Sequence, residues 1–370
     1  MNILFYSPMK PIDHPNPSGD QTTAIGLVSF LQTAGHCVEA ASRVRARYVY
    51  WKPWLIPRLV ADLRRLERRA FPPKPDLFLT HHTYYKAPDI LGPVASRRLQ
   101  IPYVVFQGIF STKPRRNPKT WLGFVLNRRA LTAAAHVFTN RWVDHVNLKR
   151  LIPESRLSYV RPGIVPSRFG FSQDHRFEWR NRLKIPSDVP VIVSAAMFRP
   201  GVKADGISWM IETSGRILAK GFRHVLLVVG DGPERARLKS LASTNPSIVF
   251  LGKIPRSRMY SVYSAGDVFA FPGIRESLGM VYLEAQSCGL PVVAFDNGGI
   301  AEVVRRNETG FLTRPFDLEA FDRAIIQLLT DVDLRHRMGA AGARSVRMDH
   351  DAYRNFGDVE RVLRLLTGVQ

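Results

Sequence analysis

The stretch Gly266–Gly299, GDVFAFPGIRESLGMVYLEAQSCGLPVVAFDNGG, leaves a chain that contains it few choices of fold. Val268 to Phe271 is an apolar run halted by the breakers Pro272-Gly273, the pattern of a buried strand and its end. A loop follows, then a helical stretch with Val281, Leu283, Ala285 and Cys288 on its inner side. Gly289 and Pro291 close that helix, and Pro291 to Phe295 is a second buried strand. Strand, loop, helix and strand in this order build a parallel sheet. Ligands of such sheets sit at the loop beyond the C-terminal end of the first strand.

Two carboxylates flank the loop, Glu276 before the helix and Glu284 within it, eight residues apart. Between them Leu278, Gly279, Met280 and Val281 offer backbone N–H groups at a helix start, where internal acceptors are lacking and anions are favoured. An ionised carboxylate only accepts hydrogen bonds, so a pair around an anion seat suits a ligand with both hydroxyls and phosphate, such as a nucleotide sugar. Taken singly, each has a plainer reading: Glu276 as a helix-dipole partner and Glu284 as a solvated helix residue.

A chain of 370 residues exceeds one ordinary core and predicts two domains of similar size. Only Cys37 and Cys288 occur, both in surroundings that predict burial, so no disulfide framework is implied and a reducing compartment fits. The N-terminus runs straight into a strand, Ile3 to Tyr6, without the features of a signal peptide. No apolar stretch approaches the roughly eighteen residues of a membrane span. The formal charge of +22 is lopsided: residues 1–180 hold 28 Lys and Arg against 11 Asp and Glu, and residues 181–370 hold 25 against 20. That asymmetry predicts an anionic partner for the first half, with a solvated arginine-rich surface as the alternative.

Two stretches concentrate this charge. Arg43, Arg45 and Arg47 lead into Tyr48, Tyr50, Trp51 and Trp54, and Pro57 then opens a helix. Leu59, Leu63, Leu66 and Ala70 share one face of it, with Arg58, Arg64, Arg65, Arg68 and Arg69 around the rest. From Arg43 to Phe71 the pattern suits an anionic membrane surface, unless the Leu face packs on the protein itself. Lys113 to Arg129 is a second basic block with Trp121 and Phe124 interleaved. No recognised nucleic-acid module accompanies either block, so no nucleic-acid partner is expected.

Elsewhere, Met1 to Ser7, a loop with Pro15, Pro17 and Ser18, a helix from about Gln21 to Ala34 closed by Gly35, and a strand from His36 to Ala41 read as a βαβ unit. Asp20 reads either as the helix N-cap or as a residue facing hydroxyls. Strands at Asp76 to Thr80 and Ile101 to Phe106 lead into His81-His82 and Gln107-Gly108. Adjacent histidines on a strand point opposite ways and are poor partners for one metal. Residues 165–186 are polar without a core pattern and mark the domain boundary. Val189 to Ala196 opens the second domain, followed by Arg199 and Lys203, then by Val225 to Val229 and Gly230-Asp231-Gly232-Pro233. Asp331 and Asp333 follow no apolar strand and read as a helix cap, not a metal pair.

Taken together, the second half resembles the C-terminal domain of the family-four retaining glycosyltransferases, whose E-x7-E motif would span Glu276 to Glu284. Phe250-Leu251-Gly252, Gly266-Asp267, Phe271-Pro272, Gly289 to Val293, Gly298-Gly299, Glu302 and Thr309 to Leu312 carry the likeness in order. The resemblance implies an α/β fold of two facing Rossmann-like, doubly wound domains, the GT-B arrangement. Residues 1–168 would form the acceptor-side domain, 169–186 a linker, 187–348 the nucleotide-sugar domain, and 349–370 a helix crossing back to the first. It further implies retaining transfer of a sugar from a nucleotide diphosphate sugar to a saccharide or lipid-linked acceptor.

By the same resemblance Glu276, Lys203 and Arg199 would be catalytic, Glu276 holding sugar hydroxyls and the two cations the diphosphate. Glu284 would hold the ribose hydroxyls, with Leu278, Gly279, Met280, Val281, Gly230, Asp231, Gly19 and Asp20 also on the donor. Cations and amides would then neutralise the leaving diphosphate, with no metal and no other cofactor expected. His82 and Gln107 would lie on the acceptor or sugar side. Where many members carry His-Gly this chain has Gln107-Gly108, and an amide cannot titrate. The likeness implies a cytoplasmic protein, peripheral on the inner face of the cytoplasmic membrane, serving envelope polysaccharide or lipopolysaccharide assembly. A nucleotide-sugar epimerase of the same fold is the alternative enzyme, and a nucleic-acid-binding protein the alternative outside enzymology.

Overall fold

In a computed structural model, which describes residues 1–14, 19–68 and 74–369, the chain forms two compact units. Pro15, Pro17, Ser18, Arg69, Ala70 and Phe71 lie outside the described residues. The first unit comprises Met1–Arg161 with the segment from Ala352 onward, and the second comprises Pro162–Asp351. The stretch read as a linker, 169–186, therefore belongs to the second unit. It contains a helix, Gln173–Arg182, started by Ser172, whose side chain accepts from the His175 N–H. Arg176 Nη2 lies 2.7 Å from Asp267 Oδ1, and Arg180 Nη2 donates to the carbonyls of Pro186 and Val189 at 2.9 and 2.6 Å. The helix docks largely through guanidinium groups, so it carries no long apolar stripe that periodicity would reveal.

The first unit holds a parallel sheet of β1 (Asn2–Tyr6), β2 (Cys37–Ser42), β3 (Leu77–Thr83), β4 (Tyr103–Gly108), β5 (His136–Thr139) and β6 (Leu157–Tyr159), in the order β2-β1-β3-β4-β5-β6. Side chains alternate between its faces, as strand geometry requires. Leu4, Tyr6, Phe78, Tyr103 and Val105 enter one core, and Ile3, Phe5, Leu77, Leu79, Val104 and Phe106 the other. The first core is covered by Leu59, Leu63 and Leu66 of the helix Ile56–Arg68 and by Phe124 and Leu131 of the helix Pro118–Ala133. The Leu face of the basic helix is thus spent inside the protein, which removes it as a membrane-inserting surface. The other core is covered by Ala24, Leu27 and Leu31 of the helix Gly19–Thr33 and by Phe356, Val359 and Leu363 of the helix Ala352–Thr367. Cys37, on the edge strand β2, is exposed, contrary to the sequence reading, whereas Cys288 is buried.

The second unit repeats the plan with β7 (Val191–Ala195), β8 (Val225–Val229), β9 (Ile248–Gly252), β10 (Val268–Ala270), β11 (Val292–Phe295) and β12 (Gly310–Thr313), all parallel, in the order β12-β11-β10-β7-β8-β9. Runs such as VLLVV in β8 follow from burial of a parallel sheet on both faces. Asp331 does cap a helix, accepting from the Leu334 N–H at 2.8 Å.

Candidate functional site

In the second unit the chain walks from β7 through β8 to β9, then returns to place β10 on the other side of β7. Connections leave those two central strands in opposite directions, which opens a crevice beyond their C-terminal ends. Lys203 reaches it from the first turn of the helix Val202–Ala219, after β7, and Glu276 from the loop after β10. The two meet in an ion pair between Lys203 Nζ and Glu276 Oε2, with Nζ also 5.5 Å from the centre of the Phe271 ring. The Glu276 loop is held by a turn from its N–H to the Gly273 carbonyl at 2.9 Å. Gly298 packs against the Glu276 carbonyl at φ +60°, where a β-carbon would collide with that oxygen.

Beyond this loop Gly279, at φ +72°, turns the chain into the helix Met280–Ser287. Among the described residues no backbone acceptor takes the N–H groups of Leu278, Gly279, Met280 or Val281. Glu284 is not a solvated helix residue: it is 7% exposed. Arg256 Nε and Nη2 reach its Oε1 at 2.7 and 2.6 Å, and the Tyr263 hydroxyl lies 3.4 Å from Oε2. Burial pushes the Glu284 carboxyl above its ordinary range, and the Arg256 charge opposes that rise. Arg199 is exposed and makes no ion pair among the described residues. Gly230, at φ +143°, lets the loop after β8 close on the Ala196 carbonyl. Asp231 is engaged in its own turn, accepting from the Gly232 N–H at 2.8 Å and pairing with Arg235 at 3.1 Å.

The first unit has its own switch, between β1 and β3. Asp20 is in the first turn of the helix Gly19–Thr33, not at its N-cap. Its carboxylate accepts from Gln107 Nε2 at 3.2 Å and lies 3.5 Å from His82 Nδ1. His81, also buried, places Nδ1 3.5 Å from Ser7 Oγ. Burial acts to raise Asp20, but the hydrogen bond and charge of His82, with His81 and Gln107, outweigh it and hold the carboxyl well below its ordinary range. Burial pushes His81 down to about 3. His82 and Gln107 both have left-handed backbones, at φ +59° and +64°.

The profile of a family described as glycosyl transferases group 1 matches residues 175–345. A 2-deoxystreptamine N-acetyl-D-glucosaminyltransferase from Streptomyces fradiae is 30% identical over 306 residues, covering 78% of this chain and 70% of that one. The chain belongs to the glycosyl transferases group 1 family. Another relative, the GDP-mannose-dependent alpha-(1-6)-phosphatidylinositol monomannoside mannosyltransferase of Mycolicibacterium smegmatis, is 32% identical over 253 residues, 66% of this chain and 64% of that one. The chain spans 46% to 64% of the length of the first mycobacterial and corynebacterial mannosyltransferases it matches. The crystal structure of Anabaena Alr3699/HepE in complex with UDP superposes with a TM-score of 0.76 at 16% identity, covering 99% of this chain and 100% of that one. At that identity the likeness shows the fold, two Rossmann-like domains of GT-B type.

For this glycosyltransferase-family chain, the structure brings Lys203, Glu276 and the amides of Leu278 to Val281 to one sheet edge. Glu284 lies one helical turn further in. Gly19, Asp20, His82 and Gln107 belong to the other unit, where the last three form a cluster of their own. The sequence reading missed Arg256. Its only signal was position, just past β9 and the Phe250-Leu251-Gly252 landmark.

Proposed function

We propose that the chain transfers a sugar, with retained anomeric configuration, from a nucleoside diphosphate sugar to a hydroxyl of a saccharide or lipid-linked acceptor in cell-envelope polysaccharide or glycolipid assembly. The observation that carries this reading is the Lys203–Glu276 pair at the strand-order switch, beside four amides that no backbone acceptor among the described residues takes, and a buried Glu284. Without donor the cation and carboxylate satisfy each other. A donor replaces both partners at once, its diphosphate taking Lys203 and the amides, its sugar hydroxyls taking Glu276. Arg199, exposed and without an ion pair among the described residues, would follow the departing diphosphate. Positive charge supplied by Lys203, Arg199 and a helix start stabilises that leaving group without a metal. Glu284, paired with Arg256, takes the ribose hydroxyls. The UDP in the Anabaena neighbour and the GDP-mannose dependence of the M. smegmatis relative support a nucleotide-linked donor and leave base and sugar to a panel.

Glu284→Ala removes one charge-assisted acceptor of roughly 1.5–3 kcal/mol and should weaken nucleotide affinity by about tenfold to a hundredfold. Isothermal titration of UDP and GDP into wild type and variant measures this directly. An unchanged dissociation constant takes Glu284 out of the site.

We also propose an anionic membrane surface as partner, on the cytoplasmic side, through a different face than the Leu stripe. Trp51 Nε1 donates to the Lys119 carbonyl at 2.9 Å, which joins the two basic stretches into one surface. Trp51, Trp54 and Trp121 are 58%, 64% and 51% exposed there, with Lys52, Arg58, Arg115, Arg116 and Lys119 in the same segments. A groove of about 950 Å³ between β2 and the helix Ile56–Arg68 is lined by Arg43, Arg45, Arg58 and Arg65 together with Glu39 and Asp62, which both lie near Arg65, so its lining is positive on balance. Aromatics at the headgroup level with cations around them are the usual means of peripheral attachment. Among the described residues no helix is long and apolar enough to cross a membrane.

A further inference from the structure

We infer that the Lys203–Glu276 pair does more than receive the donor: it works against retention of the nucleoside diphosphate left after transfer, so that the site empties for the next donor. The inference rests on the transferase reading above and concerns the regulation of that same site by its own product.

It starts from an asymmetry in how the two partners are held. The Glu276 stem is wedged between two glycines that carry the chain through positive φ. A β-carbon on Gly273, at φ +67°, would lie 3.4 Å from Glu276 Cβ, and one on Gly279, at φ +72°, 3.2 Å from its Cγ. The loop itself is tied down. Besides the turn from the Glu276 N–H to the Gly273 carbonyl, Asn297 Nδ2 donates to that carbonyl at 3.0 Å, and the Ser277 N–H donates to Glu276 Oε1 at 3.3 Å. The Glu276 side chain is thus fixed, at 14% exposure. Lys203 reaches it on a flexible, unbranched stem that is 33% exposed. When an anion competes for the pair, the ammonium moves and the carboxylate stays.

What the stranded carboxylate then meets depends on the ligand. A sugar nucleotide brings hydroxyls that donate to Glu276 while its diphosphate takes Lys203, so both members of the pair are satisfied again. The nucleoside diphosphate brings no such donors. Its terminal phosphate, freed from the sugar, carries more negative charge than before and draws Lys203 harder. Glu276 is then a largely buried carboxylate without its cation and beside like charge, the costly arrangement for such a group. Among the described residues Lys203 is the cation paired with Glu276, and no other ion pair takes over when it leaves. The fixed carboxylate is therefore a counterweight. It opposes the product's stronger pull on Lys203 and costs the donor little.

Isothermal titration of the full chain tests this with two matched pairs of ligands, UDP with UDP-glucose and GDP with GDP-mannose. In a pair that wild type binds, Glu276→Gln should tighten the nucleoside diphosphate by about tenfold. The sugar nucleotide, whose hydroxyls the amide oxygen still accepts, should change by less than about threefold. A gain in affinity cannot come from unfolding. Lys203→Met separates competition for the cation from plain charge repulsion: in that background the same Glu276→Gln change should gain about threefold or less. Wild type that binds both members of a pair, with no tightening of the diphosphate in Glu276→Gln, overturns the inference and leaves the transferase reading standing. Equal gains with and without Lys203 overturn it as well. Wild type that binds neither pair removes the inference and the transferase reading together.

Discussion

Arg256→Met puts the tightest numerical demand on the account of the second unit. Arg256 gives two N–H groups to one oxygen of Glu284, at 2.7 and 2.6 Å, while Glu284 itself is 7% exposed. Removing one member of a fully buried ion pair costs about 3–5 kcal/mol, because the other charge is left uncompensated. Here the Arg256 side chain is 41% exposed, so water can take its place and the cost falls to about 1.5–3 kcal/mol. Urea unfolding of wild type, Arg256→Met, Glu284→Gln and the double variant forms a thermodynamic cycle, with an expected coupling of about 1–2 kcal/mol. The pH dependence has a definite sign. Burial already raises the Glu284 pKa, and loss of Arg256 raises it further. A carboxyl with a raised folded pKa binds more protons folded than unfolded, so its contribution is present at acid pH and is lost as pH rises through the folded value. The deficit of Arg256→Met should therefore be largest at neutral pH and smallest near about pH 4. Stabilities within about 0.5 kcal/mol of each other at neutral pH, or a cycle with no coupling, would refute the reasoning.

Three further outcomes are expected. Sugar transfer should persist in excess chelator while Lys203→Met lowers it by at least about tenfold; activity abolished by chelation and restored by magnesium or manganese would defeat the metal-free account. Trp51→Ser/Trp54→Ser should stay folded and lose the salt-resistant part of binding to anionic vesicles in co-sedimentation, whereas Leu59→Ser should destabilise the fold by about 3 kcal/mol; equal sedimentation of the Trp variant and wild type at high salt counts against the aromatic surface. His81, pushed down to about 3 by burial, binds fewer protons folded than unfolded below the ordinary histidine range, so stability should fall as pH drops from about 6.5 toward 3. His81→Phe keeps the ring between Phe5 and Phe106 and should lose about 1.4 kcal/mol less than wild type from pH 7 to about 5.5 in urea unfolding; identical slopes would exclude His81 as the cause.

The sheets were legible because a parallel sheet buried on both faces writes itself as short β-branched runs between breakers, as in Val225 to Val229 and Val268 to Phe271. Lys203 and Glu276 were legible as residues beyond strand ends. Their pairing depends on the strand order, which periodicity does not encode. Arg256 escaped because its partner is 28 positions away, on a different element. The Leu stripe at 59, 63 and 66 showed an amphipathic helix truly, but the pattern is the same whether a core or a bilayer covers it. The helix Gln173–Arg182 reads as linker for the opposite reason: the buried Arg180 and the half-buried Arg176 hold it, and polarity reads as exposure. Asp20 reads from the sequence either as a cap or as a residue facing hydroxyls, because Asp at a helix start serves both roles. Its bond to Gln107 spans 87 residues.

The helix Ala352–Thr367 completes a core whose other members lie in the first 161 residues, and the whole second unit is threaded between them. On the ribosome, therefore, the unit that emerges first cannot finish first. The part of that core filled by Phe356, Val359 and Leu363, beside Phe30 and Phe106, stays open until the second unit, a contiguous segment, has been made and is free to close on itself. Vectorial synthesis thus inverts the usual order of domain maturation. The period of exposure scales with the 190 residues of Pro162–Asp351, and a released chain truncated after Asp351 should present a folded second unit and a first unit that still recruits chaperones.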